Sequence, residues 1–178
     1  VHTARWPEDL DLKGKRVAVV GTGASSMQLV PTIADEVASL TIFQRTAQWA
    51  RPVPEYKQAV DARSAWLFRH VPMYDRWYRF AQMWRYGDGL LRFLRRDPDW
   101  EQPDRSMNRV NERHRVEIED YIRTELAGDE ALIEKCMPDY PPFAKRILID
   151  NGWYSTLRKP HVTLITEAIT NLQAAGIQ

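Results

Sequence analysis

Gly21-Thr22-Gly23-Ala24-Ser25-Ser26 directly follows the apolar run Val17-Ala18-Val19-Val20 and opens a stretch with helical spacing. A strand, a glycine turn and a helix in that order form a cradle for phosphate. The first glycine permits the tight turn, and the second lets a pyrophosphate approach the backbone. The helix N-terminus adds unpaired N–H groups and a partial positive charge. Such a turn means little alone; flanked by a strand and a helix it reads as a dinucleotide motif. Gln28, one turn further along, joins the six turn residues as a candidate contact.

The elements that must position this turn follow from the pattern around it. Met27, Val30, Ile33, Ala34 and Val37 recur at helical intervals, which predicts a helix over about 25–38 with one apolar face. Pro31 lies inside it and removes one backbone bond. Leu40-Thr41-Ile42-Phe43 reads as the second strand, and Gln44-Arg45-Thr46 follows it. NAD-binding units usually place a carboxylate there for the ribose hydroxyls. A guanidinium instead grips a 2′-phosphate with paired donors. Arg45 and Thr46 therefore point to NADP(H). The alternative is a βαβ unit whose turn binds nothing and whose Arg45 is merely solvated. Ser26 stands where the motif usually has its third glycine, so helix and strand should pack less closely.

Composition excludes several classes. With 44% apolar and 28% charged residues and a formal charge of +1, the chain reads as an ordinary soluble domain without a polyanionic partner. A single cysteine, Cys136, excludes a disulfide scaffold and a zinc cluster and suggests a reducing compartment. His2, His70, His114 and His161 lack metal-ligand spacing, so no metal is expected. No run reaches membrane-spanning length and no signal peptide is visible, so the cytoplasm is the expected location. The start at Val1 and the half-hairpin look of residues 168–178 read as a piece of a longer enzyme.

After Arg51-Pro52-Val53-Pro54 the βα rhythm gives way to segments that look helical, at 57–70, 73–86, 89–96 and 106–126. Tyr74, Trp77, Ala81 and Trp84 form an aromatic stripe. Residues 63–96 hold eight arginines against two acids, and residues 97–134 hold twelve acids against five arginines. The simplest expectation is that these halves pack together and neutralise each other. Single-stranded nucleic acid or a membrane surface would suit the arginines and aromatics. The acidic neighbour argues against both, and a docking face for an absent domain fits better. Val162-Thr163-Leu164-Ile165 then reads as a further parallel strand, and Ile147-Leu148-Ile149 as a short apolar segment.

Three separated segments resemble the Baeyer–Villiger monooxygenase family. His2-Thr3-Ala4-Arg5-Trp6-Pro7 is similar to the second half of that family's fingerprint, and the glycine turn with Gln44-Arg45-Thr46 to its NADP site. Pro141-Pro142-Phe143-Ala144-Lys145-Arg146, followed by Asp150 and Tyr154, resembles its late lysine–arginine segment. The wording is closest to the 4-hydroxyacetophenone monooxygenase branch. The resemblance implies an α/β, Rossmann-like NADP-binding domain (10–54 and 140–178) with a mostly helical insertion (55–139), after an interdomain linker (1–9). It implies NADP(H) on this piece, with FAD on a domain in cis, and O2 and a ketone, aryl ketones among them, giving an ester or lactone. Arg45 and Thr46 would hold the 2′-phosphate with Lys145 assisting. Arg146 would be catalytic, stabilising negative charge on the flavin. His2, Trp6 and Pro7 would serve the linker.

Ala144 stands where relatives often have glycine, and the FAD cradle would lie outside the chain. The piece alone is therefore expected to bind nucleotide at most, with self-association through uncovered faces. The rival readings are a flavin monooxygenase that oxidises nitrogen or sulfur, and a non-catalytic NADP-sensing module.

Overall fold

In the computed structural model, which describes residues 1–54, 56, 58–173 and 176–177, the run before the glycine turn is strand β1 (Arg16–Val20). The turn feeds helix α1 (Ala24–Ile33), and β2 (Ser39–Phe43) returns parallel to β1 with Val19 opposite Ile42. After β3 (Ala50–Arg51) comes a helical excursion of α2 (Ala62–His70), α3 (Tyr74–Tyr86), α4 (Leu91–Leu94), α5 (Arg109–Glu125) and α6 (Glu130–Cys136). The chain re-enters through β4 (Leu148–Ile149), which pairs parallel with β3, and α7 (Trp153–Leu157). Strand β5 (Val162–Ile165) then adds parallel to β2, giving the order β1-β2-β5. A short antiparallel pair, β6 (Leu172–Gln173) and β7 (Gly176–Ile177), follows. This is the expected Rossmann-like α/β architecture with a mostly helical insertion.

The buried face of α1 is the expected one, since Met27, Val30, Ile33, Ala34 and Val37 all enter the core with Leu40 and Ile42. The helix nevertheless stops at Ile33 instead of Ala38. Pro31 supplies no N–H to its last turn. Beyond it the backbone is claimed from outside, Gly14 N–H donating to Glu36 O and Ala38 N–H to Lys15 O. The expected helix at 57–70 begins only at Ala62, where the Asp61 carboxylate accepts from Arg63 and Ser64 N–H. Glu55 and Lys57 lie outside the described residues. The segment at 89–96 is a 3-10 turn, Asp88–Leu90, and the single turn α4. The long helix starts at Arg109 because the Asn108 side chain caps Val110 and Asn111 N–H. Helices α6 and α7 were not anticipated.

The two charged halves do not neutralise each other. Acids of the second half pair locally, Arg105 with Glu112 and Glu119, Arg113 with Glu117, and Arg115 with Glu119. The helical period explains the last two, because Arg113 and Glu117, and Arg115 and Glu119, lie four residues apart on one face of α5, while Arg105 reaches that helix from the loop before it. Among the described residues no arginine between 63 and 96 has an ion pair. Helices α2, α3 and α4 bury no residue, whereas α5 and α6 send Ile118, Ile122, Ile133 and Cys136 into the core. Burial pushes the Cys136 thiol up to about 12, which makes it unreactive. No described helix is long and apolar enough to cross a membrane.

Candidate functional site

Strands β1, β2 and β5 end on the same side, which is where open α/β sheets bind ligands. A cavity of about 450 Å³ lies there, lined by Gly21, Thr22, Arg45, Thr46, Gln48 and Lys145 and by residues 166–169. The glycine turn is tied to the end of β2 and to the connection that follows it. Gly21 N–H donates to Phe43 O at 2.8 Å, and the Thr22 hydroxyl donates to Thr46 O at 3.2 Å. Gln44 is buried, its N–H donating to Ile165 O and its side-chain amide to Lys135 O. Arg45 thus sits on an anchored connection with its own side chain exposed, and it has no ion pair among the described residues.

The turn has room for a ligand. Gly21 has φ +97°, a conformation few other residues adopt, and a Cβ added at Gly21 or Gly23 would meet nothing within 4 Å. Gly23 precedes helix α1 without a side-chain cap, which leaves the helix's first N–H groups for something else. These features and the two cations suit a phosphorylated dinucleotide.

Lys145 reaches the cleft from about a hundred residues downstream of Arg45. Its Nζ lies 4.4 Å from the centroid of the Tyr140 ring. Tyr140 in turn is locked beside the end of β2, its hydroxyl donating to Ala47 O at 2.9 Å and its carbonyl accepting from Trp49 Nε1 at 2.9 Å. Folding therefore brings Gly21, Thr22, Arg45, Thr46 and Lys145 together. Gly23, Ala24, Ser25 and Ser26 instead line a second cavity of about 760 Å³ along β1, together with His2 and Trp6, and Gly21 borders both. His2 also accepts from Ala4 N–H through Nδ1. Gln28 faces away, toward Tyr56 and residues 147–149, so the structure does not group it with the cleft. Arg146 is exposed and does not line the 450 Å³ cavity, although its neighbour Lys145 does.

Gln48 and Glu167 line the cleft without having been expected. The signal was present, because both closely follow the ends of parallel strands. A third feature borders the lysine loop. An open groove of about 900 Å³ is walled by Trp77, Phe80, Trp84, Phe93, His114 and Phe143. Trp77, Ala81 and Trp84 of the predicted stripe face it, while the Tyr74 ring packs against Phe68.

His114 supplies the imidazole in this wall. Burial holds its imidazole below the ordinary 6.5, the nearby Glu117 carboxylate opposes that, and the Arg51 charge reinforces it. A base with a depressed folded pKa stabilises the fold above its unfolded pKa and loses that contribution as pH falls. The thermal midpoint should therefore decrease between about pH 7.5 and about pH 5.5. His114→Phe, which keeps a ring but cannot titrate, should flatten that stretch. An unchanged slope in the variant would remove His114 as its cause.

No protein-family model matches the chain. It is 50% identical over 177 residues to an uncharacterized monooxygenase of Sinorhizobium fredii, covering 99% of this chain and 27% of that protein. It is 36% identical over 176 residues to a Baeyer-Villiger monooxygenase of Pseudomonas aeruginosa, covering 99% of this chain and 31% of that one. Among solved structures, an epsilon-caprolactone-bound cyclohexanone monooxygenase superposes with a TM-score of 0.74 at 27% identity, over 99% of this chain and 39% of that one. An oxidized steroid monooxygenase bound to NADP gives 0.69 at 27% identity, over 100% of this chain and 38% of that one. The chain thus spans about a third of the length of the proteins it matches.

Proposed function

We propose, from a chain similar over 99% of its length to Baeyer–Villiger monooxygenases, that it is the NADP(H)-binding unit of an FAD- and NADPH-dependent enzyme of that type. Residues 10–54 and 140–178 form the nucleotide-binding part, 55–139 the insertion and 1–9 the linker to the flavin-binding portion in cis. The observation that carries the reading is the meeting of Arg45 and Lys145, distant in sequence, at one cleft beside an open glycine turn. A 2′-phosphate between them finds a forked guanidinium and a point charge, and Thr46 borders the same space. The uncapped start of α1 receives the pyrophosphate. When bound, NADPH supplies the hydride. The chain's own residues hold and orient the nucleotide.

Lys145 and Arg146 divide their tasks on this reading. Lys145 lines the cleft and serves the nucleotide. Arg146 stays outside it, exposed and permanently charged, and is the residue for stabilising negative charge on the flavin side. The overall reaction is oxygen insertion beside a ketone carbonyl to give an ester or lactone. Aryl ketones among the substrates would be in keeping with the 4-hydroxyacetophenone branch. The exposed aromatic face of α3 and the edge of the β6–β7 hairpin are the surfaces where the flavin portion docks, or where isolated chains self-associate.

The purified 178-residue chain should be colourless and bind NADP(H), and the flavin-loaded longer protein should convert a ketone to an ester. Stoichiometric FAD on the isolated chain would overturn the division between the two portions. Exclusive formation of N- or S-oxides by the longer protein would favour the other flavin monooxygenases. No oxygenation alongside tight NADP(H) binding would favour a nucleotide-sensing module.

A further inference from the structure

The loop that delivers Lys145 is a turn with an unusual occupant. Ala144 N–H donates to Pro141 O at 3.1 Å, closing a four-residue turn with Pro142 and Phe143 at its centre. Phe143 has φ +69°. Proline at the first central position and a positive φ at the second define a type II turn, in which the second position normally belongs to glycine. A bulky side chain persists there only where its surroundings over-determine the conformation.

Those surroundings come from the helical insertion. The Phe143 ring stacks on the His114 imidazole, with centroids 5.5 Å apart and planes 19° from parallel, and it packs against Phe93 at 5.5 Å. Phe93 and His114 also touch each other at 5.4 Å, so three rings close on one another. The backbone is pinned beside them. Asn111, fully buried on α5, donates from Nδ2 to Pro142 O at 2.9 Å and to Phe93 O at 3.1 Å. Two residues after Phe143, Lys145 folds back over Tyr140 and enters the cleft with Arg45.

We infer that Phe143 is a positioning residue for nucleotide binding: its ring, seated against Phe93 and His114, fixes the turn that aims Lys145 into the Arg45 cleft. The insertion thereby sets the geometry of a cavity that none of its own residues lines. This inference rests on the reading of the cleft given above. Glycine at position 143 would suit the turn better but could not be held by the rings. The side chain therefore trades local strain for a defined exit direction.

Calorimetric titration of the 178-residue chain with NADP+ and NAD+ tests it. Phe143→Gly should weaken NADP+ binding about threefold to tenfold, the scale of one lost ring contact, and leave NAD+ within about twofold. Phe143→Tyr should restore NADP+ affinity. Lys145→Ala should weaken NADP+ binding too, and adding Phe143→Gly to it should cost nothing more, because the ring acts through the lysine. Phe93→Leu, which removes a stacking ring without altering the turn's backbone, should reproduce the effect if Phe143→Gly folds poorly. Wild-type NADP+ affinity in both Phe143→Gly and Phe93→Leu, beside a weakened Lys145→Ala, would overturn the positioning role alone. Wild-type affinity in Lys145→Ala would overturn the reading of the cleft and the positioning role with it.

Discussion

Arg45→Ala should lose most of the preference for NADP(H) over NAD(H) while leaving NADH binding nearly unchanged. Arg45 is exposed at the mouth of the cleft, on a connection tied down by the Gln44 N–H bond to Ile165 and the Thr22 bond to Thr46. Its removal should therefore not disturb the glycine turn. A hydrogen bond to a charged group contributes about 1.5–3 kcal/mol, or roughly 10- to 150-fold in affinity. The loss should fall at the lower end at high salt, because exposed charges are screened. Arg45→Lys should recover only part of it, since an ammonium cannot make the paired contact. Equal affinity of the wild-type chain for the two nucleotides would defeat the assignment.

The half of this site closest to the glycine turn was legible because it is local. Strand, turn, helix and second strand lie within residues 16–45, and hydrophobic periodicity places each of them. The apolar face of α1 was read residue by residue; its end was not, because the bonds from Gly14 and Lys15 that claim residues 36 and 38 are tertiary. The fate of Lys145 was legible only through resemblance. Its delivery depends on Tyr140, Ala47 and Trp49 meeting, and no spacing in the sequence announces that. Charge counts misled for a related reason. They recorded an arginine-rich half and an acidic half, but helical period pairs Arg113 with Glu117 and Arg115 with Glu119 on α5 before distant halves can meet. The buried roles of Asn111 and Arg115 escaped notice because both residues look like ordinary polar positions of a charged helix.

Arg115→Met should cost about 3 kcal/mol of stability, the low end for breaking a buried ion pair. The Arg115 residue is only 6% exposed. Its Nε donates to Glu119 at 2.6 Å, and its terminal nitrogens donate to the carbonyls of Arg105 at 2.7 Å and Pro138 at 3.2 Å. The guanidinium also sits 5.0 Å from the Trp49 ring centroid. Methionine would fill much of the volume but leave those carbonyls without this donor. Glu119 would keep Arg105 at 3.1 Å, so its charge would not be stranded, which is why the low end applies. For a chain of this size the loss should lower the thermal midpoint by about 6–12 °C. Arg115→Lys should fall between, retaining the charge but not the fan of donors. Adding Glu119→Leu to Arg115→Met should recover no stability, because Glu119 is already matched by Arg105, which would lose one of its two carboxylate partners. Urea unfolding of the three variants would measure this. A loss below about 1 kcal/mol for Arg115→Met would show that the loop from Pro138 to Tyr140 is held by Trp49 and Ala47 without help from α5.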